Sequence, residues 1–168
     1  MIRQQSFTEG YQAETSFRKL AESKGYAVSV ASSKQNIKEH WDLEIQTAED
    51  CYKVDVKAAK RNHRRDTNVQ NQFLWVEFRN VRGECGWLYG KADLIAFEID
   101  NEFWLVKRTA LVDLANKLVD NSQLVTNANE ALYRIYTRHG RHDQISKIKT
   151  TDLNPIIWQK WPKLFMSR

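Results

Sequence analysis

The sequence predicts a mixed α/β (α+β) fold. Residues 8–24 carry apolar side chains at helical spacing, residues 41–60 carry them at alternate positions on both sides of a polar turn, and residues 92–99 are almost continuously apolar. A chain of 168 residues, 42% hydrophobic and 28% charged, suits one domain over 1–168 with a real core. Its 11% aromatic content argues against intrinsic disorder.

In the first helix, Ala13, Phe17, Leu20 and Ala21 form the stripe to be buried, with Thr8 as N-cap and Gly25 as the C′ stop. Glu14 borders that stripe. From there it can lean toward a neighbouring sheet or pair with Arg18 one turn on. Tyr26, Val28 and Val30 alternate in a strand over residues 26–31, and the polar stretch 32–40 is expected to be a turn or loop.

Residues 41–60 hold the most informative pattern. Trp41, Leu43 and Ile45 alternate with Asp42, Glu44 and Gln46, and Tyr52, Val54, Val56 and Ala58 alternate with Lys53, Asp55 and Lys57. A turn at residues 47–50 sets Leu43 against Val54, so Asp42 meets Asp55 and Glu44 meets Lys53 in an expected salt bridge. Two carboxylates then face one spot, which is unfavourable without a counter-ion. A hard divalent cation such as Mg²⁺, held by one or two carboxylates plus substrate phosphate, removes that cost. Lys57 projects from the same face and would set an ammonium beside the ion or the phosphate.

An aspartate opening one strand, then Asp-x-Lys on the next, resembles the signature of the PD-(D/E)XK nuclease superfamily, carried here by Asp42, Asp55 and Lys57. The match covers the first half of the chain, and His40 and Trp41 replace the proline of the family name. The resemblance implies a restriction-endonuclease-like central mixed β-sheet flanked by helices and an Mg²⁺-dependent DNA endonuclease, with Mn²⁺ as a substitute. It also implies metal ligation by Asp42, Asp55 and the Val56 carbonyl, help from Glu14 directly or through water, and Lys57 as orienter of the attacking water.

After the basic run, Leu74, Val76 and Phe78 alternate with Trp75, Glu77 and Arg79 in a strand over 72–80. Glu77 is a candidate further metal ligand or orienter of Lys57, or a partner of Arg79. Gln72 is a candidate substrate contact at the strand's entrance. The glycine-rich segment 82–90 presents Trp87 and Tyr89 either to a base or to the core. Its spacing Gly86-Trp87…Gly90-Lys91-Ala92-Asp93 resembles small phage or plasmid nuclease-like proteins. Residues 92–99 and 102–107 read as a hairpin, 109–119 as a helix capped by Thr109, and 120–130 as a mobile loop. A last hairpin over 132–149 and a short terminal helix near Pro155 complete the expected elements.

Net charge is +5, and Lys60, Arg61, Arg64 and Arg65 follow the acidic hairpin, where they would hold DNA phosphates. Cys51 and Cys85 lack metal-ligand spacing and read as reduced thiols, which suggests a cytoplasmic protein. No membrane span is visible. The functional expectation is a DNA endonuclease, with branched or Holliday-junction DNA among its candidate substrates and a homodimer if both strands are cut. Its alternatives are a non-catalytic nucleic-acid-binding module and a phage-type accessory protein.

Overall fold

Helix α1 (Ile2–Ser23) lays Ala13, Phe17, Leu20 and Ala21, all buried, against one face of a sheet, and Gly25 ends it with a φ of +89°. The computed structural model describes residues 2–61 and 68–163, with side chains from residue 8 onward. Because α1 starts at Ile2, Thr8 lies inside the helix and is not its N-cap.

The sheet under α1 has six strands: β1 (Ala27–Val30), β2 (Leu43–Gln46), β3 (Cys51–Lys57), β5 (Leu94–Ile99), β6 (Glu102–Lys107) and β10 (Ile157–Pro162), paired in that spatial order. It is mixed, since β3 and β5 run parallel while the other pairs are antiparallel. Its two faces are sorted by alternation along β5. Leu94 and Ala96 join the α1 cluster with Val54, Val56 and Leu43, whereas Ile95, Phe97 and Ile99 join a second cluster on the opposite side. Burial on both faces is the reason that residues 94–99 read as almost continuously apolar, with Glu98 the exception.

The second cluster is closed by helix α3 (Arg108–Leu118), through Leu111 and Ala115, and by a four-stranded sheet. That sheet orders β4 (Phe73–Arg79), β9 (Gln144–Lys149), β8 (Arg134–Tyr136) and β7 (Asp120–Val125). Val76, Phe78, Ile135 and Ile148 supply its inner face. Glu77 therefore stands on a strand of a separate sheet, although its strand follows the acidic hairpin in sequence. Trp41 is displaced as well. It precedes β2 and packs in the second cluster, so it does not share the face of Leu43 and Ile45.

Three other segments differ from expectation. Residues 33–39 form helix α2 (Ser33–Glu39), because Ser32 and Gln35 make a reciprocal capping box; with no buried residue, α2 leaves no apolar period to read. Residues 120–125, expected as a mobile loop, are β7, a polar edge strand parallel to β8 and exposed up to Val125. The chain around Pro155 is a 3-10 turn (Thr150–Ile156) followed by β10, which seats Trp161 on the ring of Phe17 at 5.4 Å.

Phe17 is fully buried and also meets Phe103 edge-on at 5.3 Å, so it ties α1 to β6 and β10. Phe17→Ala is expected to cost about 3–5 kcal/mol in denaturant unfolding, whereas a loss below about 1 kcal/mol would show that the cavity collapses or that α1 is loosely seated.

Candidate active site

The β2–β3 hairpin has the even register expected, with Leu43 opposite Val54, Glu44 opposite Lys53 and Ile45 opposite Tyr52. Asp42, the residue just before β2, lies close enough to Asp55 on β3 to raise its carboxyl, and the two are 8% and 3% exposed. Glu44 and Lys53 make no ion pair; the Lys53 ammonium lies over the Trp41 ring, 5.3 Å from its centroid.

Hydrogen bonds fix Asp42. Its Oδ2 accepts the Val56 backbone N–H at 2.7 Å and its Oδ1 accepts the Asn36 side-chain amide at 2.5 Å. The Val56 N–H would otherwise be an unpaired buried donor at the hairpin's open end, so Asp42 both satisfies the strand and is aimed by it. Asn36 arrives on α2, and no periodic signal in the polar stretch singled it out. The Ser32–Gln35 capping box was the available clue that the segment is helical.

Asp55 lacks that support. Its Oδ2 is buried with no well-directed hydrogen bond, although the Lys57 Nζ stands 2.7 Å away. Burial pushes the Asp55 carboxyl up to about 7; the Lys57 ammonium opposes the rise and the Asp42 carboxylate adds to it. Glu14 reaches the same neighbourhood from α1. Burial raises it to about 7 as well, with Asp42 contributing and Lys57 opposing. Arg18, the alternative partner of Glu14, is engaged by Glu22 at 2.9 Å.

Lys57 is held from two sides, by Asp55 and by the Trp87 ring, whose centroid is 4.5 Å from Nζ. Trp87 also packs edge-on against Phe97 at 6.2 Å, so its ring is a wall for Lys57. Its backbone N–H faces Glu77 Oε2 at 3.4 Å. Burial raises the Glu77 carboxyl, while the Trp87 N–H, Lys57, His40 and Arg138 draw it down. Arg79, the other expected partner of Glu77, instead donates to the Gly83 carbonyl. Gly86 is what allows this approach: a Cβ there would stand 2.3 Å from the Glu77 carbonyl oxygen.

The expected phosphate contacts divide. Arg61 is committed to Glu9 by a two-pronged ion pair at 2.5 and 3.2 Å, which removes it from the free cations. Lys60 and Gln72 are exposed, while Arg64 and Arg65 lie outside the described residues.

For a divalent cation, the fit lies in the Asp42–Asp55 pair, an all-oxygen donor set whose buried Asp55 Oδ2 is met only by the Lys57 ammonium, a charge that a cation would replace. Among the described residues, no three His, Cys, Asp or Glu side chains are gathered closely enough to hold a metal ion by themselves. Glu14 lies beside Asp42 and Glu77 beside Lys57, and neither completes a cage. Cys51 and Cys85 are both free and exposed. No described helix is long and apolar enough to cross a membrane.

No protein-family model matches the chain, and no curated protein matches it. Among solved structures it is similar to a bacterial homing endonuclease, I-Ssp6803I, over 63% of this chain and 71% of that one, with a TM-score of 0.45 and 14% identity.

The raised carboxyls give the site a pH signature. A group whose folded-state pKa exceeds its unfolded value binds its proton more tightly when folded, so stability is lost as pH climbs from the ordinary carboxylate range to about 7. In chelating buffer the thermal midpoint is expected to fall between about pH 5 and about pH 8, and Asp55→Asn should flatten much of that fall. A variant with the wild-type slope would show that Asp55 ionises as it does in water.

Proposed function

We propose that this protein is a divalent-metal-dependent DNA endonuclease that hydrolyses phosphodiester bonds. The observation that carries the reading is the convergence of Asp42, just before β2, with Asp55 on β3, the Lys57 Nζ lying 2.7 Å from Asp55. Asp42 also serves the strand end through the Val56 N–H, but Asp55 beside it carries a burial and like-charge cost that the Lys57 ammonium offsets only in part.

In this reading Asp42 and Asp55 would hold Mg²⁺ or Mn²⁺, with the Val56 carbonyl as a further ligand and Glu14 assisting directly or through water. When bound, the ion lowers the pKa of its water and neutralises charge on the phosphate. The chain's own groups do the rest. Asp42 is oriented before substrate arrives by Asn36 and the Val56 N–H. Lys57, backed by the Trp87 ring, keeps its ammonium toward the carboxylates, where it can orient the attacking water or meet the charge developing on phosphorus. Asp55 and Glu14, both raised to about 7, would give up their protons as the cation replaces them, and so activity should rise through neutral pH. Lys60, with Arg64 and Arg65, would hold backbone phosphates without reading sequence.

A second reading has its own support. The absence of a three-residue ligand cluster among the described residues favours a nucleic-acid-binding module on this framework that cuts nothing. It predicts salt-sensitive DNA binding unchanged by Asp42→Asn.

Cleavage of supercoiled plasmid and of branched DNA with Mg²⁺ or Mn²⁺ separates the two. Asp55→Ala and Lys57→Ala are each expected to lower the rate at least about 100-fold, and Ca²⁺ is expected to keep binding while suppressing hydrolysis. Full activity in both variants would remove these residues from the chemistry, and an inactive wild type would leave the binding module.

A further inference from the structure

The four-stranded sheet has a second face that neither core uses. Residues opposite one another in an antiparallel pair point the same way, so the register that puts Leu74 and Val76 inward, with Ile148 opposite Leu74, sets Phe73 beside Lys149 and Trp75 beside Lys147 on the outside. Tyr136, one residue from the buried Ile135, joins them, its ring 6.1 Å from that of Trp75. Phe73, Trp75 and Tyr136 belong to neither hydrophobic cluster. Three half-buried aromatic rings thus line this outer face.

Lys147 is the second anomaly of this face. It is only 7% exposed, and its ammonium lies 5.4 and 5.5 Å from the centroids of Phe73 and Trp75. Among the described residues it forms no ion pair, and burial alone lowers its pKa. A half-desolvated cation without an anion is incomplete. The carboxylates of this face are Glu77, at its end nearest Lys57, and Asp120, at the far edge opposite Arg134.

We infer that the outer face of β4, β9 and β8 is a stacking platform for single-stranded DNA. Bases would lie on Phe73, Trp75 and Tyr136, with phosphates at Lys147 and Lys149. The choice of DNA as occupant rests on the endonuclease reading. The choice of a single strand rests on spacing. Same-face residues of a strand repeat about every 6.8 Å, twice the roughly 3.4 Å rise of stacked nucleotides, so only a strand drawn out of its duplex sets bases on both Phe73 and Trp75. The row Phe73, Trp75, Glu77 then runs toward Lys57, leading an unpaired strand to the carboxylate pair.

Fluorescence anisotropy with a labelled oligothymidylate and with a blunt duplex of equal length, both in EDTA, reads binding without cleavage. The wild type is expected to hold the single strand more tightly than the duplex. Trp75→Ala should weaken that binding about 5- to 100-fold, as loss of one base stack predicts, and Trp75→Phe should keep most of it. Lys149→Gln should reduce the slope of log affinity against log salt by about 0.7. Photocrosslinking of an iododeoxyuridine oligonucleotide to the wild-type chain reads the contact with no substitution, and adducts on Phe73, Trp75 or Tyr136 are expected. Tighter duplex binding, wild-type affinity in a folded Trp75→Ala variant, or adducts confined to other segments would overturn the platform; preference for an RNA strand of matching sequence would overturn the choice of DNA. None of these readouts uses the carboxylates, so the platform and the hydrolytic reading fail separately.

Discussion

The hydrogen bond from the Val56 backbone to the Asp42 carboxylate is the constraint on which the site depends. It forms where the β2–β3 ladder runs out, and it converts the end of a hairpin into a fixed carboxylate. The hairpin register that seats Leu43 against Val54 brings the adjoining residues, Asp42 and Asp55, close enough for one carboxylate to raise the other. A slip by one residue would turn Leu43, Ile45 and Val54 to the wrong side of the sheet. The burial of those three side chains under α1 therefore holds the two acids together.

The rest of the molecule stabilises an arrangement that is unfavourable by itself. Asp55 is buried beside another carboxylate, and only the Lys57 ammonium offsets the charge. Lys57 in turn needs a wall. The Trp87 turn supplies it from a segment that Gly86 lets approach the Glu77 backbone and that Gly90 lets approach His40, whose Cβ would lie 2.7 Å from a side chain there. The two sheets meet at this point, with Phe97 from one and Glu77 from the other on either side of Trp87. Packing in both sheets thus holds two acids and an ammonium together in a buried place where none of them would settle alone.

Much of this was legible in the residues. The buried stripe of α1, the alternation of the hairpin and the two-faced burial of β5 follow from periodicities of 3.6 and 2, which are local properties. Strand pairing across long separations is not local. Nothing in the run Phe73–Arg79 says that it leaves the main sheet to pair with Gln144–Lys149, and so the outward aromatic face could not be read. Polar elements were hidden for a related reason: α2 and β7 bury almost nothing, so no apolar period marks them, and Asn36 could not be placed against Asp42. Arg61 shows the opposite limit, since a basic run in sequence cannot reveal that one of its members is already paired with Glu9.

The central claim is that Asp42 and Asp55 converge to share one cation. A crystal soaked in Mn²⁺ and measured at the manganese absorption edge tests it most directly. The account predicts an anomalous peak within about 2.0–2.3 Å of one oxygen from each aspartate, with the Lys57 ammonium displaced from Asp55. A map with no peak between them, and with Lys57 still seated on Asp55, would contradict it.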